Sequence, residues 1–298
     1  MPECQRNGGR LECIRGVTCC VPDLQAIEES YGKWLDYQVL ERGVVPAAVA
    51  GAWGAPRTAG AAYLTLGPSS GEAVYLRFVE DERSRDWRAL TTHGWNVAEF
   101  VVQDVDALAA SLRSSPFRII GPPTSLQRFP MIRAMQVLGP AGECMYFTQV
   151  GPGSGLNLAS AESFVGRVFI VVAGGPDLDA MFDAYGRFDN AVDPPVSTRV
   201  RVISLLNGLS EETEYSHGLV KLGCGTLIEL DQYPAQTHPR TVERGALPPG
   251  MAMVSFALSG ADHGDDLDWS VPALFPGTQA SAVTTHGAIG ELIELVKC

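Results

Sequence analysis

The sequence predicts an α+β fold built from four βαβββ blocks, and three observations predict it. Four strand-like segments share one pattern, in which a Gly is followed by three residues and then by Tyr or Glu: GEAVYLRFV, GECMYFTQV, GTLIELDQY and GELIELVKC. Three of the four blocks also open alike, with an apolar run that ends at an Asp and continues as an amphipathic segment. Regular recurrence of this kind indicates one supersecondary unit per repeat.

The Asp in each of the three opening segments is a favourable residue for starting a helix. Each predicted helix carries an apolar stripe at helical spacing. The stripes comprise Leu24, Ile27, Tyr31, Trp34 and Leu35 in the first block, Val105, Leu108 and Leu112 in the second, and Leu178, Met181, Phe182 and Tyr185 in the third. The fourth block keeps its first strand, but Gly264 and Pro272 leave little room for a full helix.

Further strand-like runs separate each helix from the repeated ending, for example AAYLTLG, RAMQVLG and HGLVKLG. They complete the three strands that follow the helix in each block. Residues 150–163, VGPGSGLNLASAES, are rich in Gly and Ser and read as a linker. We therefore expect two domains of two blocks each, at residues 12–150 and 163–298.

The charge of the chain restricts the classes of partner. Its 34 acidic and 22 basic side chains give a formal net charge of -12, which disfavours binding to nucleic acid or to an anionic membrane. No apolar run approaches the roughly 20 residues that span a bilayer, and the opening residues MPECQRNGGRLE do not resemble a secretory signal. We expect a soluble cytoplasmic protein, a monomer or homodimer, whose partner is a small-molecule substrate.

The seven cysteines are scattered and show no Cys-x-x-Cys spacing, which disfavours a zinc site. Most lie within apolar strand-like runs. We expect reduced thiols in the core at Cys4, Cys13, Cys19, Cys20, Cys144, Cys224 and Cys298.

Tandem βαβββ blocks that close on a Gly-x-x-x-Glu-Leu strand resemble the vicinal oxygen chelate superfamily, which includes glyoxalase I, bleomycin-resistance proteins and extradiol dioxygenases. The resemblance covers about residues 12–298 and implies two open, cup-shaped, eight-stranded mixed sheets. It also implies that inward residues of the first and last strand of each block line the cups, where enzymes of the group hold a divalent metal. The last-strand positions correspond to Tyr75, Tyr146, Glu229 and Glu294, and the first-strand positions to Gly16, Val97, Arg167 and Met253.

This correspondence implies that Glu229 and Glu294 face one cavity in the C-terminal domain. The first-strand positions lack the usual His ligands, so no metal cofactor is expected, and any divalent cation would be held by Glu229 and Glu294 with water. The alternative is an ion pair in which Arg167 lies between the two glutamates, because two unpaired carboxylates in a half-buried cup would force one to take up a proton.

Other residues are candidates for the same chemistry. His217 begins the strand before that of Glu229 and is either a general base, a replacement ligand or a strand-end histidine in solvent. Asp231 shares a strand face with Glu229, although it could also mark the exit of the strand into solvent. Glu99 is an acid inside an apolar strand and is expected in the first cup.

Three aromatic residues, Tyr75, Tyr146 and Trp53, are expected to form a wall for a planar ligand, although aromatic residues in strands are most often plain core. The loops at residues 43–63 and 230–250 are long enough to be lids or binding loops.

The resemblance and these residues together imply a small-molecule enzyme. We expect isomerase, lyase or cyclase chemistry on an aromatic or polyketide-like carbonyl compound, with Glu229, Glu294, Arg167 and His217 as catalytic residues. One alternative is a non-catalytic protein that binds a hydrophobic ligand in the manner of bleomycin-resistance proteins. A third function is extradiol-type dioxygenase activity.

Overall fold

The computed structural model describes residues 10–152, 154, 156–258, 271–277 and 280–297. These residues form four successive blocks of strands and short helices, in the order expected from the sequence. Block one comprises β1 (Leu11–Val21), α1 (Leu24–Leu35), β2 (Tyr37–Val44), α2 (Ala47–Ala52), β3 (Ala62–Pro68) and β4 (Tyr75–Glu80). Block two comprises β5 (Gly94–Val102), α3 (Val105–Leu112), β6 (Arg118–Ser125), β7 (Ile132–Leu138) and β8 (Cys144–Val150).

The third and fourth blocks follow the linker. Block three comprises β9 (Val165–Gly175), α4 (Leu178–Gly186), β10 (Val196–Arg199), α5 (Arg201–Leu206), β11 (Glu214–Lys221) and β12 (Leu227–Gln232). Block four comprises β13 (Gly250–Leu258), β14 (Val271–Pro272), β15 (Ser281–His286) and β16 (Leu292–Lys297). The segment of block four in which the sequence left little room for a helix lies largely outside the described residues.

The Asp residues that open the block helices act as N-caps. Asp23 accepts a hydrogen bond from the backbone N–H of Ala26, Asp177 accepts one from Ala180, and Asp104 accepts two. Each bond satisfies an N–H that the first helical turn leaves without a partner. The three helices begin where the sequence predicted.

The strands of the described residues form two mixed eight-stranded sheets, which confirms the predicted α+β fold class. Sheet I has the order β14-β15-β16-β13-β1-β4-β3-β2, and sheet II has the order β10-β11-β12-β9-β5-β8-β7-β6. Sheet I therefore joins blocks one and four through the antiparallel pair β1 and β13, whereas sheet II joins blocks two and three through β5 and β9.

This topology corrects the expected pairing of the blocks. We expected residues 12–150 to form one two-block sheet and residues 163–298 the other, but block one pairs with block four across the whole chain. Neither range contains a complete eight-stranded sheet. The expectation failed because the first strand of one block can pair with the first strand of any other block. Nearness along the chain does not decide which two blocks pair.

One face of each sheet packs into a common core with the block helices. Alternate residues of the strands, such as Val17, Val254 and Phe100, enter this core beside Ile27 of α1 and Leu108 of α3. The opposite face of each sheet carries smaller apolar clusters together with buried polar residues. We call these opposite faces cup I, on sheet I, and cup II, on sheet II.

Polar contacts also tie the two sheets together. The hydroxyl of Tyr31 in α1 donates a 2.9 Å hydrogen bond to Glu143, which immediately precedes β8 of the other sheet. Arg240 donates to the carbonyl oxygen of Trp95 in β5 at 2.6 Å and to that of Met251 in β13 at 2.6 Å. These bonds fix the first strands of blocks two and four relative to each other.

The cysteines among the described residues include both free thiols and a disulfide-bonded residue. Cys19, Cys20 and Cys144 are buried free thiols, as expected, and burial raises their pKa values. Cys224 is disulfide-bonded, so the expectation of a reduced thiol is wrong there. Cys4 and Cys298 lie outside the described residues. No helix in the described part of the chain is long and apolar enough to cross a membrane.

Candidate functional site

Cup I contains Glu294, the glutamate of the fourth repeated ending. Its side chain in β16 is 1% exposed, and one carboxylate oxygen lies 3.1 Å from a guanidinium nitrogen of Arg77. Ser255 donates a short hydrogen bond to the same oxygen, and the indole N–H of Trp53 donates to the other at 2.9 Å. Every oxygen of this carboxylate therefore has a donor.

Arg77 of β4 is equally enclosed, at 0% exposure. It donates to the hydroxyl of Thr18 at 3.1 Å and to the carbonyl oxygen of Leu274 at 2.8 Å. Its guanidinium carbon lies 4.7 Å from the ring centroid of Trp53 and 4.8 Å from that of Phe275, within the range of a cation–π interaction. Cup I is thus filled by a buried ion pair held between two aromatic rings.

Cup II contains three acids. Glu229 and Asp231 alternate along β12 and so share a strand face, and Glu99 of β5 joins them on this face, 8% exposed. Thr148 of β8 donates a 2.5 Å hydrogen bond to Glu99. Asp231 is 2% exposed, and its Oδ1 has no hydrogen-bond partner.

Two acids of cup II, Glu99 and Asp231, resist ionisation. Burial raises the pKa of Glu99 to about 8, and the charge of Glu229 adds to the shift, while the hydrogen bond from Thr148 opposes it. Burial, the charge of Glu229 and a hydrogen bond with Glu229 together raise the pKa of Asp231 well above its ordinary value. At neutral pH the cup therefore holds protonated acids beside a partly exposed carboxyl group, Glu229.

Tyrosines and a histidine complete the wall of cup II. Tyr146 and Tyr233 are buried, which raises the pKa of both hydroxyls, and the hydroxyl of Tyr233 has no hydrogen-bond partner. His217 of β11 lies directly opposite Asp231 in the antiparallel ladder, so the two side chains share a face. Its Nδ1 is buried without a partner.

The acids of cup II have no basic partner among the described residues. No Arg or Lys in this part of the chain forms an ion pair with Glu99, Glu229 or Asp231. Arg167 lies instead 2.9 Å from Glu72 and donates to the carbonyl oxygen of Cys224. The expected ion pair of Arg167 with the two glutamates is therefore wrong.

The structure also separates residues that the sequence placed together. Glu229 lies in sheet II and Glu294 in sheet I, so the expectation that they face one cavity is wrong. Tyr75 stacks on Phe275 in cup I, with 5.5 Å between the ring centroids, whereas Tyr146 lies in cup II. The cause is again the pairing of block one with block four.

Asp231 and His217 lie on the strand face of Glu229 in cup II. Glu99 and Tyr146 lie in cup II as well, although they were expected in the first cup, apart from Glu229. Trp53 lies in cup I, in the long loop at residues 43–63, and covers the ion pair there, so the expected aromatic wall of Tyr75, Tyr146 and Trp53 is divided between the two cups. Each cup therefore combines residues that the sequence had assigned to separate domains.

Arg77 is the main residue that sequence reasoning missed. It stands inside the apolar run VYLRFV, and a charged residue within such a run is the same signal that marked Glu99. Applied to basic residues as well as acids, that rule would have found the ion pair. Glu143 and Glu291, each directly after a repeated glycine, were also missed and are both buried.

The fold family implies a divalent metal, and the residues present do not fit one. In cup I the guanidinium of Arg77 already neutralises Glu294. The described residues contain no group of three or more His, Cys, Asp or Glu side chains arranged to hold one metal ion.

A separate cleft of about 410 Å³ lies between two connecting segments. One segment joins block one to block two, and the other joins block three to block four. Its charged walls are committed to structural contacts. Arg83 binds Asp81 and Glu243, and Arg240 binds backbone carbonyl groups. Cup II, with unpaired acids and unpartnered polar atoms, is therefore the stronger candidate site.

Comparison with solved structures agrees with this architecture. Glyoxalase I from Zea mays is 14% identical to this chain, aligns over 96% of it and 92% of its own length, and gives a TM-score of 0.61. A putative dioxygenase from Bacillus subtilis subsp. subtilis str. 168 is 14% identical, aligns over 97% of this chain and 86% of its own length, and gives a TM-score of 0.59.

Sequence comparisons add nothing to the structural ones: no protein-family model and no curated protein matches the chain. At these identities the solved structures establish the architecture alone. The βαβββ repeat, the two mixed sheets and these neighbours agree, and the chain therefore has the fold of the vicinal oxygen chelate superfamily.

Proposed function

We propose that cup II is the active site of a small-molecule enzyme that moves a proton next to a carbonyl group, as an isomerase, lyase or cyclase does. The observation that carries the proposal is the cluster of three acids on one face of sheet II, without a basic partner among the described residues. Glu99 is 8% exposed, and burial raises its pKa to about 8, so it is protonated at neutral pH, while Glu229 beside it is partly exposed. A buried acid kept neutral and a second carboxyl group open to a substrate suit the roles of proton donor and base.

In this mechanism Glu229 is the general base. Its carboxylate removes a proton from the carbon next to the substrate carbonyl, and the electron pair moves onto the carbonyl oxygen as an enolate. The second acid on the strand, Asp231, already shares a hydrogen bond with Glu229. Asp231, which carries a proton at neutral pH, can thus return a proton to the substrate after Glu229 has taken one up, without contact with bulk water.

Glu99 is the partner for the developing negative charge. Thr148 donates to Oε1 of Glu99, which leaves Oε2 to carry the acid proton and donate it to the substrate oxygen. A neutral carboxylic acid kept protonated by burial is a strong donor to an enolate oxygen. The tyrosines of the cup, Tyr146 and Tyr233, supply an apolar wall suited to an aromatic or polyketide-like carbonyl compound.

The second candidate is a binding protein without catalysis. It is favoured by the aromatic content of cup II, where Tyr146, Tyr215 and Tyr233 lie in one cluster. In that case the acids would only orient a ligand. Extradiol-type dioxygenase activity is weaker as a proposal, because that chemistry requires a metal that the donor set does not fit.

Exchange of substrate protons with deuterium tests the first proposal against the second. A panel of small ketones and aromatic diketones is incubated with the protein in D₂O, and the loss of α-proton signals is followed by NMR. We expect accelerated exchange for at least one compound, and a loss of about 10²- to 10⁴-fold in Glu229→Gln, the variant that lacks the base.

Two further variants complete the experiment. Glu99→Leu removes the oxyanion donor and should slow exchange by about 10²- to 10³-fold. Glu214→Gln changes an exposed acid of β11 in the same sheet and should leave exchange unchanged. Equal exchange by wild type and Glu229→Gln would refute the catalytic role, and ligand binding without any exchange would favour the binding protein.

A further inference from the structure

The two cups are built from equivalent positions of the repeat, and this equivalence allows them to be compared residue by residue. Glu229 and Glu294 each lie four residues after the glycine of their repeated ending. Arg77 and Thr148 each lie six residues after the corresponding glycine in blocks one and two. Thr18 and Glu99 each precede the helix N-cap Asp by five residues.

Contacts confirm that these positions correspond in space. In cup I, Arg77 donates to the hydroxyl of Thr18 at 3.1 Å. In cup II, Thr148 donates to Glu99 at 2.5 Å. The same two positions of the repeat therefore touch in both cups.

Cup I shows how this architecture holds an organic cation. The guanidinium of Arg77 is bound by a carboxylate, a hydroxyl and a backbone carbonyl group. Two aromatic rings, of Trp53 and Phe275, cover its faces at 4.7 and 4.8 Å. The cup is a cation cage occupied by a side chain of its own block.

Cup II has no internal cation at the equivalent position. The position of Arg77 is taken by Thr148 and that of Thr18 by Glu99, so a positive charge is lost and a carboxyl group is gained. Asp231 adds a third acid. No described Arg or Lys compensates them.

Unpartnered polar atoms mark where a ligand would bind. Asp231 is buried, with 2% of its surface exposed, and its Oδ1 has no hydrogen-bond partner. The hydroxyl of Tyr233, on the same strand face, is also buried without a partner. Both atoms can accept hydrogen bonds from a cationic head group, and unsatisfied buried polar atoms are costly unless something binds them.

Access also differs between the cups. Arg77, Glu294, Thr18 and Ser255 are all sealed from solvent in cup I, whereas Glu229 and His217 in cup II are only half-buried. An external ligand can therefore reach Glu229 in cup II from the solvent, whereas Glu294 in cup I is enclosed.

We propose that cup II binds a compact organic cation, with a guanidinium, amidinium or primary ammonium group placed among Glu99, Glu229 and Asp231 as Arg77 is placed in cup I. Tyr146 and Tyr233 then contact its apolar body. The proposal rests on the function proposed for cup II and names the substrate class, a carbonyl compound that also carries a positive charge.

Cation binding should release protons. A positive group is stabilised by ionised carboxylates, so the protonated acids of cup II lose protons to the solvent when a cation without a carbonyl group binds. With a substrate that also carries a carbonyl group, Glu99 keeps its proton, because the carbonyl oxygen accepts a hydrogen bond from it. The affinity should therefore rise from pH 6 to pH 9, because ionised acids are more abundant before binding at the higher pH.

Calorimetry with benzamidinium and its neutral isostere benzamide tests the proposal on the full chain. We expect benzamidinium to bind roughly tenfold to hundredfold more tightly than benzamide, which is the contribution of charge-assisted hydrogen bonds. The binding heat should differ between two buffers of different ionisation enthalpy, which reports proton release. Equal affinity for the two compounds would overturn the proposal.

Matched variants locate the site. Glu99→Gln and Asp231→Asn should each weaken benzamidinium binding by roughly tenfold or more, while Glu214→Gln should bind like wild type. Thr148→Arg, which restores the arginine of cup I at the equivalent position, should abolish binding. Unchanged affinity in Glu99→Gln and Asp231→Asn would overturn the proposal, even if Thr148→Arg fails to fold.

Two further outcomes separate this inference from the proposed function. Benzamidinium binding by a protein that exchanges no substrate protons would refute the catalytic role and leave the cation site standing. Binding of Mn²⁺ but not of benzamidinium, lost in Asp231→Asn, would overturn the cation proposal in favour of a metal ion.

Discussion

Replacement of Arg77 by methionine tests the structural role of the ion pair in cup I. Arg77 and Glu294 are 0% and 1% exposed, and their charged atoms lie 3.1 Å apart. At an effective dielectric constant of about 20, two unit charges at that distance attract by about 5 kcal/mol. Removal of one partner of a buried pair costs about 3–5 kcal/mol, because the remaining charge is left buried. We expect Arg77→Met to lower the free energy of unfolding by about 4 kcal/mol.

The variants distinguish two causes of a lower free energy of unfolding, the loss of the attraction between the charges and the burial of one unpaired charge. Glu294→Gln should be similarly damaging, because Arg77 cannot lose its proton. The double variant Arg77→Met/Glu294→Leu removes both charges and should be more stable than either single variant, as apolar replacements of buried pairs often are. The loss in Arg77→Met should also be smaller at pH 5 than at pH 8, since a stranded Glu294 binds a proton more readily at the lower pH.

Urea unfolding followed by circular dichroism measures these effects. The matched control is Arg42→Met, which breaks an exposed pair in which Arg42 lies 2.6 Å from Glu28 with side chains 60% and 38% exposed. That change should cost less than about 1 kcal/mol. If Arg77→Met unfolds at the same urea concentration as Arg42→Met, the reasoning about cup I is refuted.

Three more predictions concern other buried groups. The pKa of Glu99 is raised from its ordinary value of 4.5 to about 8 in the folded protein. Folding therefore favours the protonated form of Glu99, and the free energy of unfolding falls as pH rises between these two values. Glu99→Gln should reduce this fall in urea unfolding measured at pH 5 and pH 8, and the same fall in wild type and variant would contradict the assignment. Tyr31→Phe leaves Oε1 of Glu143 without the hydroxyl donor, while the backbone N–H of Ala141 still donates to Oε2. It should cost about 1–3 kcal/mol in thermal unfolding, and an unchanged melting temperature would contradict this. Arg240→Lys cannot reach the same carbonyl groups and should lower the unfolding free energy by more than about 2 kcal/mol, whereas a change below about 0.5 kcal/mol would show that the contact is dispensable.

The elements of this fold were predictable because their signals are local. The N-cap residues Asp23, Asp104 and Asp177 each precede a helix that carries the expected apolar stripe. Each repeated ending overlaps the last strand of its block, which is β4, β8, β12 or β16. Such patterns depend on neighbours within a few residues and survive any arrangement of the blocks.

The pairing of the blocks was not predictable in the same way. The backbone of β1 can form the same antiparallel hydrogen bonds with the first strand of block two, three or four, and the sequence of β1 alone does not choose among them. The observed pairing of block one with block four places Glu229 and Glu294 in different sheets and brings Trp53 into contact with Glu294.

The position of Arg167 failed for a second reason, which is its offset along the strand. Gly16 and Val97 lie seven residues before the N-cap Asp of their blocks, whereas Arg167 lies ten residues before Asp177. The ladder of β5 and β9 also shifts register between Glu99, which pairs with Ile170, and Phe100, which pairs with Val168. Arg167 lies beyond this shift, near the start of β9, and its side chain reaches Glu72 rather than the acids of cup II.

The nested order of the blocks has a consequence for biosynthesis. Sheet II joins two consecutive blocks and can close as soon as block three has left the ribosome, whereas β1 must wait for β13, which is made more than two hundred residues later. During this interval one edge of block one stays open to wrong partners, and open strand edges favour aggregation. The nascent chain should therefore depend most on chaperones after block one emerges and before block four is complete.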